Sequence, residues 1–111
     1  MAQIDDRYRV VLTTAGSDEQ AETIARALVD RRLAACVNIV NSVCSVYRWK
    51  GETVREQEPM LIIKTTADRF EEVREAIREL HTYEVPEVIS LSVRDGDGDY
   101  LRWIDESVRD D

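Results

Sequence analysis

Few side chains in this chain are equipped for chemistry. There is one histidine, His81, and there are two cysteines, Cys36 and Cys44, against a background of 23 carboxylates. A nucleophilic thiol needs a base or a helix N-terminus beside it. Neither cysteine follows a strand-to-helix turn, so both read as inert strand residues. One histidine and two cysteines cannot close a four-ligand structural zinc site without carboxylates or a second subunit, so a soft-metal site at Cys36 or His81 would be weak or shared between chains. Asp95, Asp97, Asp99 and Glu106 fall at positions 1, 3, 5 and 12 of a calcium loop, but Tyr100 stands where the sharp turn needs glycine. That run reads as an acidic turn. No glycine-rich phosphate cradle is present. The acid pairs Glu56/Glu58 and Glu84/Glu87 carry little meaning in so acidic a chain. The densest stretch is His81-Thr82-Tyr83-Glu84-Val85-Pro86-Glu87, which gathers the histidine, an aromatic ring, acids and a proline with fixed φ. Connecting segments held between rigid elements are where function collects.

The elements that must position these groups follow from periodicity. Arg7 to Thr14 is β-branched and aromatic and predicts a strand. Ser17 opens a helix with Gln20 at the capping-box position, and Ala21, Ile24, Ala25, Leu28, Val29 and Leu33 recur at helical spacing. An extended segment from Ala35 to Trp49 has mostly apolar odd positions, with Asn41 and Ser45 as interruptions. Lys50-Gly51-Glu52 turns it, and the return strand is read over Met60 to Thr66, with Pro59 marking an edge or a bulge. Asp68 is the expected cap of a second helix, with Glu71 at its box position and Phe70, Val73, Ile77 and Leu80 on one stripe. Glu87 to Val93 predicts a fourth strand, and Tyr100 to Val108 a short amphipathic tail. The order β-α-β-β-α-β predicts an α+β, ferredoxin-like split βαβ sandwich with helices on one face of an antiparallel sheet.

The 111 residues fit a single domain spanning 1–111, with 1–6 and 109–111 expected as flexible tails. The formal net charge of −8 argues against nucleic-acid and anionic membrane partners. The N-terminus lacks the basic start and apolar run of a signal peptide, and the longest apolar stretch is too short for a bilayer. With two cysteines that would lie roughly 26 Å apart along one strand, the expectation is free thiols and a cytoplasmic setting.

Dimensions sharpen this picture. A compact domain of this length has a diameter of about 34 Å, whereas a strand from Ala35 to Trp49 runs roughly 45–50 Å. The hairpin should overhang the body unless Asn41-Ser42 kinks it. An arm carrying Tyr47, Trp49 and Val54 suits a partner better than solvent, which predicts self-assembly.

Several blocks then resemble the CutA family of divalent-cation tolerance proteins: Leu33-Ala34-Ala35-Cys36-Val37-Asn38-Ile39, Ser45-Val46-Tyr47-Arg48-Trp49-Lys50-Gly51, Leu61-Ile62-Ile63-Lys64-Thr65, the His81–Glu87 stretch, and Tyr100-Leu101-Arg102-Trp103-Ile104. The resemblance implies a ferredoxin-like subunit in a homotrimer, and a cleft between subunits containing Trp49, Lys64, His81, Tyr83 and Glu84. It implies no obligatory cofactor and no catalysis, with a divalent cation such as copper as the family ligand. Two departures stand out. Thr82 replaces the proline of the family's His-Pro-Tyr loop, which should loosen that turn. The copper-binding members use a cysteine near residues 13–18 and two adjacent histidines; here the first is absent and Leu80 replaces one histidine, leaving His81 as the sole metal ligand. The resemblance thus implies weak metal binding or an adaptor or sensor role. A sensing trimer like the PII proteins is the alternative, and an enzyme using Glu84 beside Lys64 is a third.

Overall fold

The computed structural model describes residues 6–109. The expected flexible tails lie outside the described residues except for Asp6, which accepts from Arg9, and Arg109, whose carbonyl accepts from Arg32. Four strands, β1 (Tyr8–Thr14), β2 (Cys36–Trp49), β3 (Glu52–Thr66) and β4 (Ile89–Ser92), form one sheet in the order β2-β3-β1-β4. All three pairings are antiparallel. With α1 (Asp18–Asp30), α2 (Phe70–Leu80) and α3 (Gly98–Ser107), this is the expected ferredoxin-like architecture.

Alternation along the strands sets the core. Val11 and Thr13 of β1 stand opposite Ile63 and Leu61 of β3, and all four are fully buried under the helices. Ile24 and Leu28 of α1 and Val73 and Ile77 of α2 close over them with no exposed surface. The Thr65 hydroxyl, equally buried, donates to the Leu33 carbonyl at 2.6 Å. The opposite face carries Val10, Leu12, Met60 and Ile62, all half-buried, and Ile89 and Leu91, 49% and 48% exposed. α3 reaches this face at Tyr8, whose hydroxyl donates to Asp105, so the sheet is apolar on both sides, with Ile89 and Leu91 left exposed on the second.

The caps differ from expectation in detail. Ser17 accepts from the Gln20 amide at 3.1 Å as a helix cap should, but the Gln20 side chain returns to Gly16 N–H at 2.8 Å instead of to Ser17. Asp68 does not cap α2. It lies in a 3-10 turn (Ala67–Arg69), where its carboxylate accepts from Thr66 Oγ1, and Arg69 precedes the helix without a side-chain cap. Asp97, part of the calcium-loop pattern, is spent as the N-cap of α3, and Glu106 falls within that helix.

The hairpin is longer than the sequence pattern suggests. β3 begins at Glu52, eight residues before Met60, while β4 is shorter than the predicted 87–93. Lys50 and Gly51 have φ of 49° and 84°, the left-handed pair of a two-residue hairpin turn. β1 ends at Thr14 opposite Met60, so among the described residues the hairpin beyond that level has no third strand beside it. The molecule measures 44 × 35 × 21 Å, with the radius of gyration at 14.9 Å against roughly 13 Å for a compact chain of this size. The arm overhangs. Asn41-Ser42 forms a β-bulge, since Val40 pairs with Met60 and Val43 with Glu58. Pro59 stands opposite the bulge and just past the end of β1, satisfying both halves of the expectation.

Candidate functional site

The bulge decides which side chains meet. Before it, the odd residues Val37 and Ile39 pair with Ile63 and Leu61 on the helix side. After it, the odd residues Val43, Ser45 and Tyr47 pair with Glu58, Glu56 and Val54, so they share the face of Glu58. Tyr47 and Trp49 thereby stand over a cleft of roughly 630 Å³ between the arm and the segment following α2. The floor includes Thr14 and Glu58, and Tyr83, Glu84 and Glu87 form the opposite wall.

His81 and its neighbours hold that wall in place. Its Nδ1 accepts from the Tyr83 N–H at 3.0 Å, and its Nε2 lies 2.6 Å from the Thr14 carbonyl. One nitrogen faces a donor and the other an acceptor, which assigns the neutral tautomer with its proton on Nε2. The His81 and Tyr83 rings pack with centroids 4.5 Å apart. Thr82 does not leave the turn loose: its hydroxyl accepts from Gln20 Nε2 at 3.0 Å, tying the segment to the start of α1. Gly16 lies beneath this junction, where a Cβ would meet Tyr83 Cε1 at 3.4 Å and Thr82 Oγ1 at 3.5 Å.

The Tyr83 hydroxyl reaches the cleft floor. It donates to Glu58 Oε1 at 2.8 Å and lies 3.4 Å from the Ala15 carbonyl. Burial pushes the Tyr83 phenol well above its ordinary range, helped by its bond to Glu58 and the nearby carboxylate charge. Tyr47 is pushed up to about 12, chiefly by its hydrogen bond to Glu56. Burial, and then the charge of Glu58, raises the Glu87 carboxyl. All three shifts include a contribution from negative charge in one place.

Comparison with known proteins bears on this geometry. The family model for the CutA1 divalent ion tolerance protein matches residues 9–107. The chain belongs to the CutA1 family. Within that family it is 50% identical over 99 residues to the divalent-cation tolerance protein CutA of Thermus thermophilus, covering 89% of this chain and 96% of that one. The solved Cut A1 structure from the same organism superposes with a TM-score of 0.89 at 48% identity, over 92% of this chain and 99% of that one. CutA1 from Oryza sativa gives 0.91 at 36% identity, over 98% and 100%.

A CutA1 chain raises the question of a divalent ion, and the donors present do not fit one. Both His81 nitrogens are engaged, so a metal would have to displace the Tyr83 N–H. Among the described residues no three His, Cys, Asp or Glu side chains converge as a ligand set. Cys36 is half-buried and Cys44 exposed, both as free thiols. Of the residues expected in a cleft between subunits, Trp49, Tyr83 and Glu84 line this cleft of a single copy, and His81 bonds to the Tyr83 amide beside it. Lys64 is elsewhere, on the open sheet face beside Cys36, where its ammonium donates to Asn38. Tyr47 belongs both to the arm and to the cleft, while Val54 sits opposite it and is half-buried. Glu58 is the residue that sequence reasoning passed over. The signal available was its place next to Pro59, at the point where the strand alternation had to change.

Proposed function

We propose that this chain is a non-catalytic binding protein of the divalent-cation tolerance type, working as a homotrimer with the arm-covered cleft as its ligand site. The observation that supports it most is the exposed apolar strip at Ile89 and Leu91 on the second sheet face, beside an arm that has no third strand among the described residues. Val46 is 64% exposed and Trp49 39% on that arm. Surfaces of this kind are buried by partners. An arm laid on the sheet face of a neighbour is a heterologous contact, which closes only as a ring; three is the number the family resemblance implies. Divalent ions bind weakly in this reading, because His81 must surrender a backbone bond to ligate. A reducing compartment such as the cytoplasm suits the two free thiols.

Light scattering at tens of micromolar tests assembly. The expected mass is about 38 kDa, three times the 12.8 kDa of the chain, with Trp49→Ala shifting mass toward the monomer. A stable 12.8 kDa species would refute the trimer. Calorimetry with copper and zinc on wild type and His81→Ala tests the metal role, and sub-micromolar binding lost in the variant would contradict the weak-ligand reading.

A further inference from the structure

Every charged residue lining the cleft is acidic. Glu58 is only 7% exposed, and the Tyr83 hydroxyl occupies one of its two oxygens. Among the described residues the other oxygen has no hydrogen-bond donor, and no ion pair reaches Glu58, Glu84 or Glu87. A carboxylate on a residue this little exposed gains from a cation or further donors. The walls supply a second attraction, since the faces of Tyr47, Trp49 and Tyr83 are electron-rich. Lys50 Nζ already stands 5.7 Å from the Trp49 ring centre.

We infer that the cleft takes a small organic cation, an alkylammonium or alkylguanidinium group, whose N–H donors meet the free oxygen of Glu58 and whose alkyl part lies against the aromatic walls. This rests on reading the cleft as the ligand site. A bare divalent ion fits less well: hard cations want six or more oxygens, and no ligand set converges here. The volume, roughly 630 Å³, lies in the range of small-molecule pockets. A guanidinium also matches carboxylate geometry with paired donors.

The test is a nitrogen-15 NMR titration of the full chain with n-butylguanidinium and, separately, n-butylurea, its neutral counterpart of the same shape. Guanidinium should shift the Trp49 indole and Tyr83 amide resonances to saturation, with urea at least tenfold weaker. Glu58→Gln should weaken guanidinium at least tenfold. Glu87→Gln, which leaves the Tyr83–Glu58 bond intact, should weaken it two- to fivefold and guards against a folding defect in the first variant. Urea binding as tightly as guanidinium would overturn the cation assignment while leaving a ligand cleft. Saturation by neither would overturn both readings. Guanidinium binding only after Lys64→Ala would place the ammonium of a second copy in the cleft and overturn the small-molecule assignment.

Discussion

Replacing Tyr83 with phenylalanine removes one hydroxyl and keeps the ring against His81. The lost group donates to Glu58 Oε1 at 2.8 Å; having one proton, it cannot also bond fully to the Ala15 carbonyl at 3.4 Å. Hydrogen bonds to charged groups contribute about 1.5–3 kcal/mol net. Glu58 is 7% exposed, so little solvent can replace the donor, but the residue lines the cleft, which admits some. The expected cost is therefore in the lower part of that range, about 1.5–2 kcal/mol. Urea unfolding at matched protein concentration measures it, since assembly would make stability concentration-dependent. A loss below about 0.5 kcal/mol would refute the claim that Glu58 relies on this hydroxyl.

The same variant carries a signature in pH. The Tyr83 phenol is raised above its ordinary value of about 10, first by burial and then by Glu58. The folded state thus holds this proton more tightly than the unfolded chain. Its contribution is fully present below pH about 10 and disappears as pH climbs toward the folded-state value. Wild type should lose stability more steeply than Tyr83→Phe above pH 10. Tyr8 and Tyr47 are also raised and remain in both proteins, so they form a shared background. Coincident slopes there would show that the phenol is not buried against negative charge.

Other perturbations test the scaffold. Ile77→Ala, at a site with no exposed surface, should cost about 2–5 kcal/mol in urea unfolding. Thr65→Val leaves the Leu33 carbonyl without its 2.6 Å donor and should cost about 1–2 kcal/mol; a neutral or stabilising result would mean the carbonyl finds another partner. Asp105 is held below the ordinary carboxylate range by its hydrogen bonds to Arg7 and Tyr8 and by the charge of Arg7, against an opposing effect of burial. Its contribution is present above the unfolded value near 3.9 and lost as pH falls through the depressed one. Trp103 fluorescence should therefore report α3 loosening in acid, with a smaller amplitude in Asp105→Asn.

The helices were legible because their stripes are long and each side chain reports one face. Ile24, Leu28, Val73 and Ile77 could be assigned to the core from spacing alone, and all are fully buried. The overhang was legible from length, since no strand of that size fits inside a domain this small. The site was only partly legible. Tyr83 and Trp49 stood out by type, but Glu58 looks in sequence like any other surface acid among Glu52, Glu56 and its neighbours. What buries it is long-range: the end of β1, the segment after α2 and a change of strand parity meet at one residue. Asp68 misled for a related reason, because a capping pattern states where a helix can begin and the Thr66 hydroxyl bound that carboxylate first.

That change of parity reconciles two demands that the chain makes on one hairpin. The two-residue turn at Lys50-Gly51 sets the register of the arm, pairing Trp49 with Glu52 and, continuing outward, Val43 with Glu58. The core sets a different register, because Val37 and Ile39 must face the helices beside Ile63 and Leu61. The arm register carried on into the body would turn Val37 and Ile39 to the open face. The two registers differ by one residue, and the bulge at Asn41-Ser42 absorbs it. Pro59 sits at that level with no N–H to give. Ala15 N–H donates to its carbonyl at 3.0 Å, and a regular antiparallel pair would return a bond to the Ala15 carbonyl. Proline cannot, so that carbonyl is left for the Tyr83 hydroxyl, 3.4 Å away and already bonded to Glu58. The feature that interrupts the ladder thus opens the place where the aromatic wall meets the buried carboxylate, and the cleft exists because the hairpin could not be regular throughout.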